Sequence, residues 1–262
     1  MRLARINRKE GKRVWILLVV WFLLLAVTLS FLALLADEFN RNPQSQSFTS
    51  LSWSGYLVSN DFAVPPIQIT GINGSWTVPE VNPSIGDTYS SAWVGIGGQN
   101  DKTLIQAGTE HNYVDGKADY YAWYELLPGF AVPIKEFILA PGDSFAVSIT
   151  MNDSQSNQWR IQIRDYTRGQ NFIKTVTYNS SRASGEWVME RPSINKSITS
   201  LANFGSITFS NCYIVVNNAV GNLSHFKYSQ VKMANQADTA LTSVTPVGTE
   251  SSSFRVTYLS AN

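Results

Sequence analysis

Beyond Ala36, no segment of this chain keeps apolar residues at helical spacing for three turns. Instead, short runs rich in Val, Ile, Thr, Tyr and Trp recur, separated by Gly, Pro, Asn and Asp. The pattern predicts strands over Gly74–Val78, Ser91–Ile96, Thr103–Ala107, Asp119–Leu126, Ser144–Met151, Gln158–Tyr166, Glu186–Glu190, Ser206–Phe209 and Phe254–Leu259. Many short strands at this spacing bury their apolar faces as a sandwich or a closed barrel. The sequence has no internal repeat and no low-complexity segment. No second boundary divides residues 51–262, which are read as one all-β domain.

The first 50 residues read differently. Residues 1–13 carry six basic side chains against one acid, Glu10, and form a basic cytoplasmic segment. Val14 to Ala36 is an uncharged stretch broken only by Thr28 and Ser30. As a helix it would rise about 34 Å, enough to cross a hydrocarbon core of about 30 Å. With Asp37 and Glu38 on its far side, the charge asymmetry predicts a single-pass signal anchor over 14–36 with the domain outside. A cleaved signal peptide, which would release a secreted domain, is the competing reading. Residues 37–50 are polar and read as a linker.

Composition then narrows the chemistry. Charged residues make up 15% of the chain against roughly 25% in an average globular protein, so Ser, Thr, Asn, Gln and Tyr must cover the surface. Setting residues 1–13 aside leaves 14 basic against 18 acidic residues, a net of −4 with no basic patch for nucleic acid. The single cysteine, Cys212, excludes an internal disulfide and reads as a packed thiol. Two histidines, His111 and His225, are too few for a structural zinc site and weaken any serine or cysteine triad. No metal and no cofactor is expected. His111 reads as a surface-loop residue, and Asp143, in APGDS, as a turn cap. Five Asn-x-Ser/Thr sequons, the first at Asn73, permit glycosylation without requiring it.

Strand alternation sorts the remaining polar residues by face. In GEWVME, Trp187 and Met189 point to the core, while Glu186, Val188 and Glu190 point to an open sheet face. In DYYAWYELL, Tyr121, Trp123, Glu125 and Leu127 share a face, and in TLIQAG so do Leu104 and Gln106. An aromatic-lined, acid-bearing face of this kind suits an extended polymer. Each of these positions also has an ordinary account as a half-buried strand residue.

The segments SGYLVSNDF, GINGSWTVPEV, SAWVGIGG, LIQAGTEH, YAWYELLP, APGDSFAVSIT, SGEWVMERP and ANFGSITFSN follow one another as in the glutamic peptidases, or eqolisins. The chain resembles that family over about Leu51 to Leu259. The resemblance implies a two-sheet antiparallel β-sandwich of the concanavalin-like kind. It also implies an acid-acting endopeptidase with a glutamine–glutamate dyad and a polypeptide substrate. On the motif match the dyad falls on Gln106 and Glu186, and Trp93, Trp123, Glu125 and Tyr121 fall on groove positions. An ionised glutamate can take a proton from water and return it to the leaving amine, while a carboxamide N–H stabilises the oxyanion. The sequence departs from the family pattern at Gly97, Tyr121 and Leu127, which bears on substrate preference and on the tuning of Glu186. A monomer is expected.

Two rivals stand beside this reading. One is a non-catalytic binding module on the same fold. The other is a glycoside hydrolase using Glu186 and Glu190. Regular strand geometry sets those two Cα atoms about 13 Å apart, whereas a retaining pair needs carboxyls roughly 5.5 Å apart.

Overall fold

The computed structural model describes residues 46–59, 66–99, 101–248 and 252–262. Two eight-stranded sheets dominate it. Across the first run β1 (Gln46–Ser50), β16 (Ser229–Met233), β2 (Trp53–Ser59), β11 (Ser184–Glu190), β4 (Ser91–Gly97), β5 (Leu104–Val114), β6 (Lys117–Leu126) and β7 (Val132–Pro133). Across the second run β10 (Gln170–Thr177), β9 (Gln158–Asp165), β8 (Ser144–Asp153), β3 (Ile69–Thr77), β14 (Ser206–Val216), β18 (Phe254–Tyr258) and β17 (Thr242–Val244), with β15 (Ala219–Asn222) beside β14. A small hairpin, β12 (Ser193–Ile194) and β13 (Ser197–Ile198), stands apart. Every pairing in the two sheets is antiparallel except β1 with β16.

The inward faces explain the order. Residues Ile72, Trp76, Phe145, Ile161 and Phe209 of the second sheet meet Val94, Ala107, Trp187 and Met189 of the first, all buried in one cluster. A buried tryptophan removes about 200 Å² from water, worth about 5 kcal/mol at 25 cal/mol per Å². Trp187 also joins the layers, since its Nε1 donates to the carbonyl of Asn73 at 2.8 Å. Gly74 makes that approach possible, for a Cβ there would lie 2.9 Å from Val94 and 3.0 Å from the Trp187 ring. Cys212 is buried in this core, as its packed-thiol reading requires, and burial pushes its pKa up. Asp143 caps its turn by accepting from the Ala140 N–H at 2.8 Å and binds Arg168 at 2.6 Å.

Three expectations are corrected. The anchor expected at 14–36 lies outside the described residues, and so does most of the linker expected at 37–50. Residues 46–50 of that linker instead form a strand of the first sheet. Among the described residues helix is confined to a three-residue turn, Leu223–His225, and none is long and apolar enough to cross a membrane. The expected localisation, a single pass with the domain held outside, is therefore overturned, and with it the membrane as a partner. Finally, His111 is not a loop residue. It sits fully buried on β5, facing inward.

Candidate active site

The outward face of the first sheet is ordered in rows by its register. Glu186 on β11 pairs with Gly95 on β4, Gly95 with Gln106 on β5, and Gln106 with Glu125 on β6. The next row runs Gly55, Val188, Trp93, Gly108 and Trp123. A third runs Trp53, Glu190, Ser91, Glu110 and Tyr121. Residues directly opposite in antiparallel strands share a face, so the register itself brings the predicted site residues together. All of Gln106, Glu186, Trp93, Trp123, Glu125 and Tyr121 lie on this one surface.

Glycine shapes the floor. Gly95 lets Leu104 and Trp93 close over β4 between Glu186 and Gln106, for a Cβ there would lie 2.8 Å from Leu104 Cδ1, 3.0 Å from the Trp93 ring and 3.2 Å from Gln106 Cβ. Gly108 allows a similar close approach between Trp93 and Trp123, where a Cβ would strike the Ala92 carbonyl oxygen.

This face is less open than alternation alone implies. Trp93, Leu104, Trp123 and Val188 form a second apolar cluster, with Trp53, Tyr121 and Leu127 packed against it. Trp53 meets Trp93 edge-on at 5.1 Å. Glu186 is fully buried and Gln106 is 5% exposed, so both end in a largely dehydrated setting. Trp93 and Trp123 are buried walls, and Glu125 and Tyr121 are half-buried.

Polar satisfaction is uneven. Gln106 donates from Nε2 to Glu125 Oε2 at 2.5 Å, which turns the carboxamide and leaves its Oε1 without a partner. The Glu186 carboxyl has only the Ser184 hydroxyl and the Gln99 backbone for support, and the Trp123 Nε1 has no partner. Buried groups with unmet capacity cost about 1–3 kcal/mol each. Gln106 and Glu186 lie in the Gly95 row of this face, and Trp123 in the next.

Burial drives Glu186 well above the usual carboxylate range. The Ser184 hydroxyl and the Gln99 backbone offset part of that, while the negative Asp101 adds to it. Asp101 was not singled out from the sequence, because its loop places it only through tertiary contacts. Burial raises its own pKa, but hydrogen bonds from Ser181 and Thr103 outweigh this and hold it below the ordinary value. Glu125 is raised by burial and lowered by the Gln106 bond. Glu190 is pushed up to about 7 by burial, partly offset by the Trp93 and Trp53 indoles; Trp93 Nε1 donates to its Oε2 at 2.7 Å. Glu110 is pushed up to about 8, chiefly by burial, with Glu190 as a repulsive neighbour.

An unbroken register over β11 keeps Glu186 and Glu190 two rows apart, about 13 Å between Cα atoms at the standard rise. A retaining glycosidase pair would need those two side chains to converge until their carboxyls lie roughly 5.5 Å apart.

A two-sheet β-sandwich carrying an acid and a carboxamide on one dehydrated face defines a particular class of protein. Residues 51–258 match the Peptidase A4 family, and the chain belongs to that family of peptidases. It is 28% identical over 180 residues to aspergillopepsin-2 of Aspergillus niger, covering 62% of this chain and 63% of that protein, less than two thirds of its length. The fold is similar to scytalido-glutamic peptidase with a transition state analog inhibitor, at TM-score 0.66 and 19% identity, covering 80% of this chain and 99% of that one. The aspergilloglutamic peptidase from Aspergillus niger gives TM-score 0.58 and 28% identity, covering 66% of this chain and 99% of its own.

Proposed function

We propose that the chain is an acid-acting endopeptidase in which Gln106 and Glu186 activate water against a bound polypeptide. One observation carries the reading: these two side chains flank Gly95 in a single row, both buried, and Gln106 Oε1 has no partner. A water held between them could donate to the Glu186 carboxylate and to Gln106 Oε1. Attack on the carbonyl carbon puts negative charge on its oxygen, which a Gln106 Nε2–H can stabilise. Glu186 takes the water's proton and passes it to the departing nitrogen. Glu125 acts through Gln106 by fixing which end of the carboxamide points where. Trp93 and Trp123 exclude solvent below the peptide, and Tyr121 lies at the third row.

Burial raises the pKa of Glu186 in the free enzyme. Working in acid requires that water and peptide N–H groups stabilise its ionised form once bound. The acid limb of kcat/KM, which reports the free enzyme, should therefore lie at higher pH than the acid limb of kcat. The decisive test follows digestion of a denatured protein by the full chain across pH, beside Glu186→Gln and Gln106→Ala. Acid-confined cleavage, lost in both variants while they remain folded, supports the dyad. Retained turnover in either folded variant sinks it.

A further inference from the structure

We propose that the outward face of the second sheet is a binding site for an acidic polysaccharide, centred on Arg164 and separate from the peptidase groove. A groove of 520 Å³ lies there, lined only by residues of the second sheet and its margins. That volume falls within the about 300–1,000 Å³ typical of ligand sites.

Register builds the floor as it does on the other face. Asn73, Ser148 and Gln162 form one row across β3, β8 and β9, and Ser75, Ala146 and Arg164 form the next. The wall on the β14 side comes from a local irregularity. Pairing between β3 and β14 shifts register between Ser210 and Tyr213, and Asn211 there adopts φ 51°. Such bulges re-aim side chains and recur beside functional sites. Here the bulge is locked from both sides. Asn73 Nδ2 donates to the Asn211 carbonyl at 2.8 Å, and Asn211 Nδ2 donates to Ser75 Oγ at 2.9 Å. Tyr213 follows, 39% exposed, and Tyr166 stands beyond the end of β9, 61% exposed.

The charge pattern selects the ligand. The groove lining contains one ionised side chain, Arg164, and no carboxylate. With its amide turned so that the oxygen faces Arg164, Gln162 accepts from the guanidinium at 2.9 Å, a neutral contact that orients the cation without neutralising it. Among the described residues the acid–base ion pairs are those of Arg168 with Asp143 and Asp165, and none uses Arg164. An oriented guanidinium without a counter-ion is a carboxylate receptor. Around it, Ser and Asn side chains match the hydroxyls of a sugar chain, and the two exposed tyrosines offer ring faces to its C–H surfaces. Nucleic acid fits less well, because phosphate recognition calls for several cations and the lining holds one. The first sheet has the opposite character, with Glu110, Glu125, Glu186 and Glu190 on its outward face.

The test uses the full chain and polygalacturonate as probe, with a neutral galactan and a single-stranded oligonucleotide beside it, in affinity electrophoresis at mildly acidic pH. Polygalacturonate should retard the protein, and added salt should weaken the effect. Arg164→Ala should weaken binding at least tenfold, and Tyr166→Ala or Tyr213→Ala severalfold. Digestion of denatured protein should be unchanged in all three variants, which also shows that they fold. Glu186→Gln should bind the polysaccharide as the parent does, so failure of the dyad and failure of this site are read separately. Equal retardation of Arg164→Ala, equal binding of the neutral galactan, or preference for the oligonucleotide overturns the proposal.

Discussion

Glu110 gives the sharpest test of how this fold handles charge. It is 9% exposed, and burial holds its carboxyl at about 8, against 4.5 in the unfolded chain. A folded pKa above the unfolded one means that the native state binds the proton more tightly. The contribution is full below about pH 4.5 and is lost as pH rises toward 8. At pH 7.5 the gap spans three pH units, which at 1.36 kcal/mol per unit costs about 4 kcal/mol relative to acid. Glu110→Gln keeps the shape and the polar contacts of the protonated form but cannot ionise. Urea unfolding of the full chain, followed by tryptophan fluorescence at pH 4.5 and pH 7.5, isolates the effect of this carboxyl. The variant should match the parent in acid and exceed it by about 4 kcal/mol at pH 7.5. A stability difference that is the same at both pH values would refute the argument, since the penalty would then owe nothing to titration.

Three further outcomes follow from the same geometry. His111 is buried with its Nδ1 unpartnered, and burial depresses its pKa to about 3, so the stability it contributes is lost as pH falls below 6.5. Its replacement by Met should narrow the stability loss between pH 7 and pH 4.5 by about 3 kcal/mol in the same unfolding assay. Gly95→Ala should lower kcat/KM at least a hundredfold and cost about 1–3 kcal/mol of stability, because the new methyl presses on Leu104, the buried Trp93 ring and Gln106 Cβ and so displaces Gln106 from Glu186. Asp101→Asn removes a charge that raises Glu186, so the acid limb of kcat/KM should move to lower pH; an unmoved limb argues against that coupling.

Much of this was legible along the chain, and what was not has physical causes. Each of the nine expected strands exists, because Val, Ile and Trp on alternate positions specify a half-buried strand locally. Period two separated Glu186 from Trp187 and Gln106 from Ile105 within each strand, while the pairing of Glu186 with Gln106 came from the family resemblance. The dehydration of that face was not legible. It depends on Trp53 meeting Trp93 across the sheet, two residues forty apart whose contact only the strand order creates. β10 was missed because it is an edge strand with little apolar alternation, QNFIKTVT, most of it exposed or half-exposed. His111 misled for a related reason. In TEHNYV the polar residues suggest a loop, yet Thr109 and His111 are inward-facing and satisfy one another at 2.7 Å, with the Trp76 indole donating to Thr109 at 3.0 Å.

The row through Gly95 acts as a ruler. Because Glu186 and Gln106 sit one strand on either side of β4, their backbones are held apart by two ladder spacings, about 9.6 Å, a length quantised by backbone hydrogen bonds and indifferent to packing. Side-chain length is then the main quantity left to adjust. Glu and Gln each carry about one bond, 1.5 Å, more reach than Asp and Asn. On the proposed mechanism, that extra reach is what would let both side chains serve one water across Gly95. A one-residue slip of β4 would leave the spacing intact and undo the proposed site all the same, by turning Gly95 inward and setting a side chain between the two.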